Sequence, residues 1–267
     1  MKTGIYKNLS NQDYRQSDGI SKSQLDLIRK SPALFLWSVN APYDEDKKEA
    51  LDIGTAFHSL ILEPDNFKNE FVVMPDDINR RTKEGKQAYE EFLNTSKEKI
   101  VLSAEDNKKL LLMRESLFSH PHAKWLIEAE GDPEISIFWN EETTGELAKC
   151  RPDKLISEHS CIVDLKTTGD IERIEKSFFN YRYHVQDAWY TKGYETAYND
   201  KLSSFIFLVV STKLNCGRYP VRLFELAQEV KEIGRTEYLE DIATYHECRA
   251  SNDWAAIETI KLPYYME

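Results

Sequence analysis

The chain has little cysteine. Its 267 residues include four, Cys150, Cys161, Cys216 and Cys248, and no two of them form a CxxC pair. That spacing excludes a zinc ribbon or a CxxC redox motif and leaves buried, reduced thiols as the expectation. Long apolar runs are also missing. Nothing in the sequence is long enough to span a bilayer, and the opening MKTGIYKNLS has no apolar signal core, so a cytoplasmic protein is expected. Basic charge is in deficit, with 35 Lys and Arg against 46 Asp and Glu, a net charge of −11 and a pI near 5.2. This excludes a protein that coats nucleic acid through a uniformly basic surface. It leaves room for an enzyme that holds DNA in a local basic channel. Internal repeats and low-complexity linkers are absent.

What is present points to a folded protein. Hydrophobic residues make up 41%, with five Trp, fourteen Tyr and twelve Phe, enough for one good core or two modest ones. Residues 1–20 read as an extended lead-in. Ser21 or Ser23 is placed to cap a short helix, Gln24–Lys30, and Pro32 opens another through Val39. Ala41–Lys48 reads as a charged loop. Glu49–Leu62 reads as an amphipathic helix stopped by Glu63-Pro64, with His58 on its apolar side one turn after Gly54. Phe71–Met74 suits a short strand. Pro75–Lys86 suits a loop carrying Arg80, Arg81 and Lys83. Thr82 and Ser103 suit caps of helices reaching Leu93 and about Ser119, followed by His122–Ala129.

After Gly131 the pattern changes. Strands are expected at Glu134–Trp139, Leu147–Ile156, Cys161–Leu165, Phe205–Val210 and Arg218–Phe224. Helices are expected at Lys176–Tyr198 and Ala227–Arg249, with Trp254 opening a last turn. The expectation is a single α/β domain over 1–267, a central mixed sheet flanked by helices, with a helical N-terminal layer over about 1–130 and a sheet core over about 131–267.

The stretch Leu147–Thr168, LAKCRPDKLISEHSCIVDLKTT, carries the chemistry. Read as a hairpin turning at Ser157–Ser160, it sets Asp153 near Asp164 and puts Asp164 and Lys166 on one face. Two carboxylates beside an ammonium suit a divalent cation and water-driven attack on phosphorus. Each part has an ordinary counterpart. Asp164 and Lys166 suit a strand-end ion pair, Asp153 a turn, and His58 a satisfied core histidine. Gln186 and Tyr190, one helical turn apart, suit a buried amide and a core aromatic.

In combination, Gly54-Thr55-Ala56-Phe57-His58, Pro152-Asp153, Asp164-Leu165-Lys166 and Gln186-x-x-x-Tyr190 resemble the RecB-like branch of the PD-(D/E)xK nuclease superfamily. The opening Gly19-Ile20-Ser21-Lys22-Ser23-Gln24-Leu25 extends the resemblance to the RecE-type exodeoxyribonucleases of prophage recombination systems. The resemblance implies that His58, Asp153, Asp164 and the Leu165 carbonyl are metal ligands. Lys166 would activate or orient the attacking water, Gln186 would position it or the phosphate, and Tyr190 would support Gln186. Asp164 stands where the family more often has Glu. The implied cation is Mg²⁺, with Mn²⁺ as a substitute better suited to an imidazole ligand. No iron–sulfur cluster is expected, because the cysteines lack its spacing.

The implied reaction is removal of one strand of linear double-stranded DNA from the 5′ end, leaving a 3′ tail for a single-strand annealing partner. The implied assembly is a toroidal homotetramer. Lys22 and Ser23, at a helix start, are expected to hold the 5′ phosphate. Two other readings stay open: a structure-selective or single-strand endonuclease on the same core, and a non-catalytic DNA-binding or assembly domain.

Overall fold

The computed structural model describes the chain apart from residues 43–51, 76–77, 79–80, 97–98, 255–256, 258–259, 261 and 263–267. The N-terminal part runs β1 (Gly4–Tyr6), α1 (Asn11–Gln16), α2 (Lys22–Lys30), α3 (Pro32–Asn40), α4 (Ile53–Leu62), α5 (Pro64–Glu70) and β2 (Phe71–Val73). It continues with α6 (Lys83–Thr95), β3 (Ile100–Leu102), α7 (Ala104–Ser119) and α8 (Pro121–Glu128). Then come β4 (Asp132–Pro133), β5 (Ser136–Asn140), β6 (Leu147–Cys150), β7 (Lys154–Ile156) and β8 (Cys161–Thr168). The chain closes with α9 (Ile174–Asn180), α10 (Tyr183–Tyr198), β9 (Ser204–Ser211), β10 (Val221–Phe224) and α11 (Gln228–Ser251).

These elements form the expected mixed α/β fold. Five strands lie in the order β10-β9-β8-β7-β4, with β8 parallel to β9 and the other pairs antiparallel. A parallel neighbour needs a crossover, which α9 and α10 supply between β8 and β9. A second sheet runs β1-β5-β6, and β2 pairs in parallel with β3. Strand alternation divides the core. Val163 and Leu165 of β8 pack with Phe57 of α4 and with Met113 and Leu117 of α7. Ile162 faces the other way, toward Phe178, Tyr194 and Phe205. A third cluster joins α2, α3, α10 and α11 to the smaller sheet around Trp139 and Trp189.

Several expected elements differ. The lead-in contributes β1, which pairs with β5, and α1, which Ser10 caps. Ser21 rather than Ser23 precedes α2, and the Gln24 side chain accepts the Ser21 N–H at 2.9 Å. Pro64 does not merely stop α4; it takes the first position of α5, where a missing N–H costs nothing. The helix expected over Glu49–Leu62 is seen from Ile53, capped by Asp52, and 49–51 lie outside the described residues, as do 43–48 of the charged loop. The strand expected at Leu147–Ile156 is two strands in different sheets, broken at 151–153. Lys176–Tyr198 is two helices, broken where Arg182 takes a left-handed backbone, φ 52°. The last turn expected from Trp254 falls largely outside the described residues; the Trp254 ring itself stacks on Phe35 at 5.5 Å. Among the described residues, no helix is long and apolar enough to cross a membrane.

Candidate active site

The break between β6 and β7 makes the site. Pro152 has no N–H to give a ladder, so the chain leaves the smaller sheet there and enters the larger one at Lys154. Lys154 pairs with Val163, which sets Asp153 one step beyond, level with Asp164. The Asp153 Oδ2 accepts the Leu165 N–H at 2.7 Å, filling with a side chain the place a backbone carbonyl would take. Glu134 N–H in turn donates to the Asp153 carbonyl at 3.1 Å.

Helix α4 brings His58. A Cβ on Gly54 would stand 2.8 Å from Thr167 Oγ1, so the glycine lets this helix settle on the end of β8. His58 Nδ1 then lies 3.6 Å from Asp153 Oδ2. Helix α10 brings Gln186, whose Nε2 donates to Asp164 Oδ2 at 2.5 Å. The other Asp164 oxygen lies against the Lys166 ammonium without meeting hydrogen-bond geometry. The structure therefore gathers His58, Asp153, Asp164, Leu165, Lys166 and Gln186 at one end of the large sheet.

Burial sets the electrostatics. Asp164 is 1% exposed. Its pKa rises to about 6, driven by burial, opposed by Lys166 and reinforced by Asp153. Burial also raises Asp153, against Lys166 and the Leu165 hydrogen bond. For Lys166 burial pulls downward, but Asp164 and Asp153 outweigh it and hold the ammonium above its ordinary range. His58 falls to about 4, through burial first and Lys166 second, so its imidazole is neutral at neutral pH, the form that binds metal.

A family model described as a PDDEXK-like domain of unknown function, DUF3799, matches residues 21–260. The chain belongs to that family. No curated protein sequence matches it. Among solved structures, a candidate exonuclease from Eubacterium rectale superposes on this PDDEXK-like domain with a TM-score of 0.59 at 12% identity, covering 96% of each chain. At that identity the likeness shows the fold alone. A phage-related exonuclease from Haemophilus somnus 129PT gives a TM-score of 0.32 at 11% identity over 77% of this chain and 98% of its own. An alkaline exonuclease from Laribacter hongkongensis gives 0.31 at 14% over 67% and 89%.

Two adjoining cavities flank the clustered acids of the PDDEXK-like domain, and neither Asp153 nor Asp164 lines them. The larger, about 1000 Å³, is lined by Gly54, His58, Lys166, Thr167 and Tyr183 among others. The smaller, about 640 Å³, is lined by Lys22, Ser23, Lys149, Gln186 and Tyr190. Asn11, Glu134 and Arg151 line both. Tyr190 thus shares a wall with Gln186, its ring 6.1 Å from Phe205, and burial holds its hydroxyl proton on. Lys22 Nζ reaches the Tyr181 carbonyl and the Asp26 carboxylate, both at 2.7 Å. Ser23 is exposed, its Oγ 3.1 Å from Ser21 Oγ. Arg81 and Lys83 are exposed and line neither cavity; Arg80 lies outside the described residues.

Sequence reasoning missed Arg151, Glu134 and Tyr183. Arg151 Nε pairs with Glu134 Oε2 at 2.7 Å, and this pair stands where the two cavities meet. Glu134 has a left-handed backbone, φ 51°, and a pKa raised to about 7 by burial and Asp153 against the pull of Arg151. Arg151 adjoins Pro152-Asp153, so its neighbourhood was readable. Glu134 reaches the site only through a backbone turn that no local pattern announces.

Proposed function

We propose that this chain is a metal-dependent nuclease that digests linear duplex DNA from the 5′ end and leaves 3′ single-stranded tails. The observation that supports it most is the gathering of His58, Asp153, Asp164 and Lys166 into one cluster, with His58 and Lys166 lining a cleft large enough for a nucleotide. Family membership supports the same reading.

The donor set fits a divalent cation in chemistry. Asp164 Oδ1 is buried against the Lys166 ammonium, the half-buried Asp153 carboxylate lies level with it on the neighbouring strand, and a neutral imidazole stands 3.6 Å from Asp153. Among the described residues, no three His, Cys, Asp or Glu side chains stand close enough to hold one ion, and Lys166 supplies the positive charge next to Asp164. In this reading His58, Asp153, Asp164 and the Leu165 carbonyl would hold Mg²⁺ or Mn²⁺. When bound, the cation supplies charge that favours the transition state at phosphorus.

The chain's own groups do the rest. Lys166 orients the attacking water and stabilises charge developing on the phosphate. Gln186 fixes the Asp164 carboxylate through its Nε2–H, and Tyr190 lines the same cavity as Gln186. Arg151, Lys22 and Ser23 would give the smaller cavity donors for the 5′ phosphate, with the charge of Lys149 behind them. A toroidal homotetramer would keep such an enzyme on its substrate, and a single-strand annealing protein would use its product.

The test is digestion of linear duplex labelled at either end, with Mg²⁺, with Mn²⁺ and with chelator, beside a covalently closed circle. Loss of 5′ label first, only with metal and only from linear DNA, supports the proposal. Cutting of the circle, or metal-independent activity, defeats it. Sedimentation of the protein as a monomer at working concentration would remove the ring.

A further inference from the structure

The exposed ring of Tyr181 stands beside Tyr183, the ring under the Lys166 ammonium, on a backbone hydrogen-bonded on both sides, and nothing in the mechanism uses it. Tyr181 is 63% exposed. Its N–H donates to the Ser177 carbonyl at 2.9 Å, and its carbonyl accepts the Lys22 ammonium at 2.7 Å. The next residue, Arg182, adopts the left-handed backbone and grips Asp26, Glu237 and Asp241 with its guanidinium. An exposed tyrosine on a loose loop needs no explanation. One fastened on both sides does, because the fold keeps an apolar ring in water at a fixed place.

That place continues a run of rings into the cleft. Tyr181 lies 5.8 Å from Tyr183, tilted by 31°. Tyr183 stacks on Phe207 at 5.8 Å and meets the edge of Phe178 at 5.5 Å. The Lys166 ammonium sits 5.0 Å over the Tyr183 ring, and Tyr183 lines the larger cavity beside His58. The row therefore runs from the core, past the catalytic ammonium, to solvent, with Lys22 on its flank.

The geometry points to a base-stacking platform. Tyr181, backed by Tyr183, receives the nucleobase at the DNA end while Lys22 and Lys166 face the phosphates on either side of it. A flat ring with an accessible face takes any base, and cations alongside match the strand that carries it. This rests on the nuclease reading above and adds to it the group that seats the terminal nucleotide. The platform would hold the end nucleotide unpaired from its partner and fix the scissile phosphate by holding its neighbour.

The experiment compares two 5′-phosphorylated blunt duplexes that differ in one group: the 5′-terminal nucleotide carries its base, or is abasic. The rate of first-nucleotide release is measured for the wild type, Y181A and Y181F with Mg²⁺ or Mn²⁺. The wild type is expected to prefer the base-carrying end by about 5-fold to 100-fold, the range that stacking on an aromatic ring gives. Y181F, which keeps the ring, should retain that ratio to within about twofold. Y181A should lower it to about two or less.

Equal loss on both ends in Y181A overturns the platform, as does a wild type that cuts both ends alike. A changed sedimentation profile in Y181A with an unchanged ratio also overturns it, assigning the ring to contact between copies. A wild type that cuts neither end, with either metal, removes the nuclease reading and the platform with it.

Discussion

The Asp153 carboxylate accepts the Leu165 N–H at 2.7 Å, so one candidate metal ligand is bonded to the strand that carries the other. The same side chain has a structural task and a chemical one, and two substitutions separate them. D153N keeps an acceptor oxygen for Leu165 but loses the charge. Its thermal midpoint should stay close to wild type while cleavage of end-labelled duplex falls by about 100-fold or more. D153A should lose activity and also about 1–3 kcal/mol of stability, because the Leu165 N–H is left without its partner.

Lys166 neutralises an almost fully buried Asp164. K166M should therefore cost about 3 kcal/mol in urea unfolding without metal, since a lone carboxylate remains inside. The D164N/K166M double variant should regain most of that stability and none of the activity. Recovery of activity in the double variant would show that neither residue takes part in the chemistry.

In the proposed site His58 would offer a cation a neutral nitrogen. H58A should raise the Mg²⁺ concentration for half-maximal activity by at least about 10- to 100-fold, the range already seen when a group that only supports a ligand is lost. A metal titration at saturating DNA reads this directly. An unchanged midpoint would place His58 outside the coordination sphere.

Glu141 gives an acid-stability prediction away from the site. Burial pushes its pKa up, but hydrogen bonds from the N–H and hydroxyl groups of Thr143 and Thr144 outweigh this and bring it below the ordinary value of 4.5. A depressed carboxylate stabilises the fold above its unfolded pKa, and that contribution fades as pH falls through the folded one. E141Q should be less stable than wild type at pH 7 by about 1–3 kcal/mol, with the gap narrowing below pH 4.5. Urea midpoints at pH 7 and pH 3.5 test the sign.

Gly234 marks where α11 crosses the start of α10. A Cβ there would stand 2.1 Å from the His184 carbonyl oxygen, so one backbone has to move. G234A should destabilise by about 1–3 kcal/mol at an unchanged denaturant slope. Because α10 carries Gln186, its activity should fall as well.

How much of this could be read beforehand follows from what each feature depends on. The apolar run Ile162-Val163 ahead of Asp164-Leu165-Lys166 announces a buried strand, and β8 is one, but it runs on to Thr168 rather than closing at Leu165, so Asp164 is buried at its middle and not at its tip. The apolar side of α4, the Thr82 and Ser103 caps and the apolar run of β9 were equally local. The break at 151–153 was hidden, because apolar alternation reads through Pro152 and only the presence of two sheets splits it. The break at Tyr181-Arg182 was hidden for a related reason. Helical periodicity continues across it, and the left-handed turn is held by Asp26, Glu237 and Asp241, far away in the chain. Strands β1 and β3 span three residues each, too few to show a period.

The clasp at Arg182 has a consequence for how such a protein can change. One guanidinium joins α2, the turn before α10, and α11, and so ties the shore of the smaller cavity to the helix bearing Gln186. Three carboxylates share this one cation, so a descendant that loses any single acid keeps two partners for the guanidinium, whereas one that loses Arg182 leaves all three acids crowded together at the edge of the cleft.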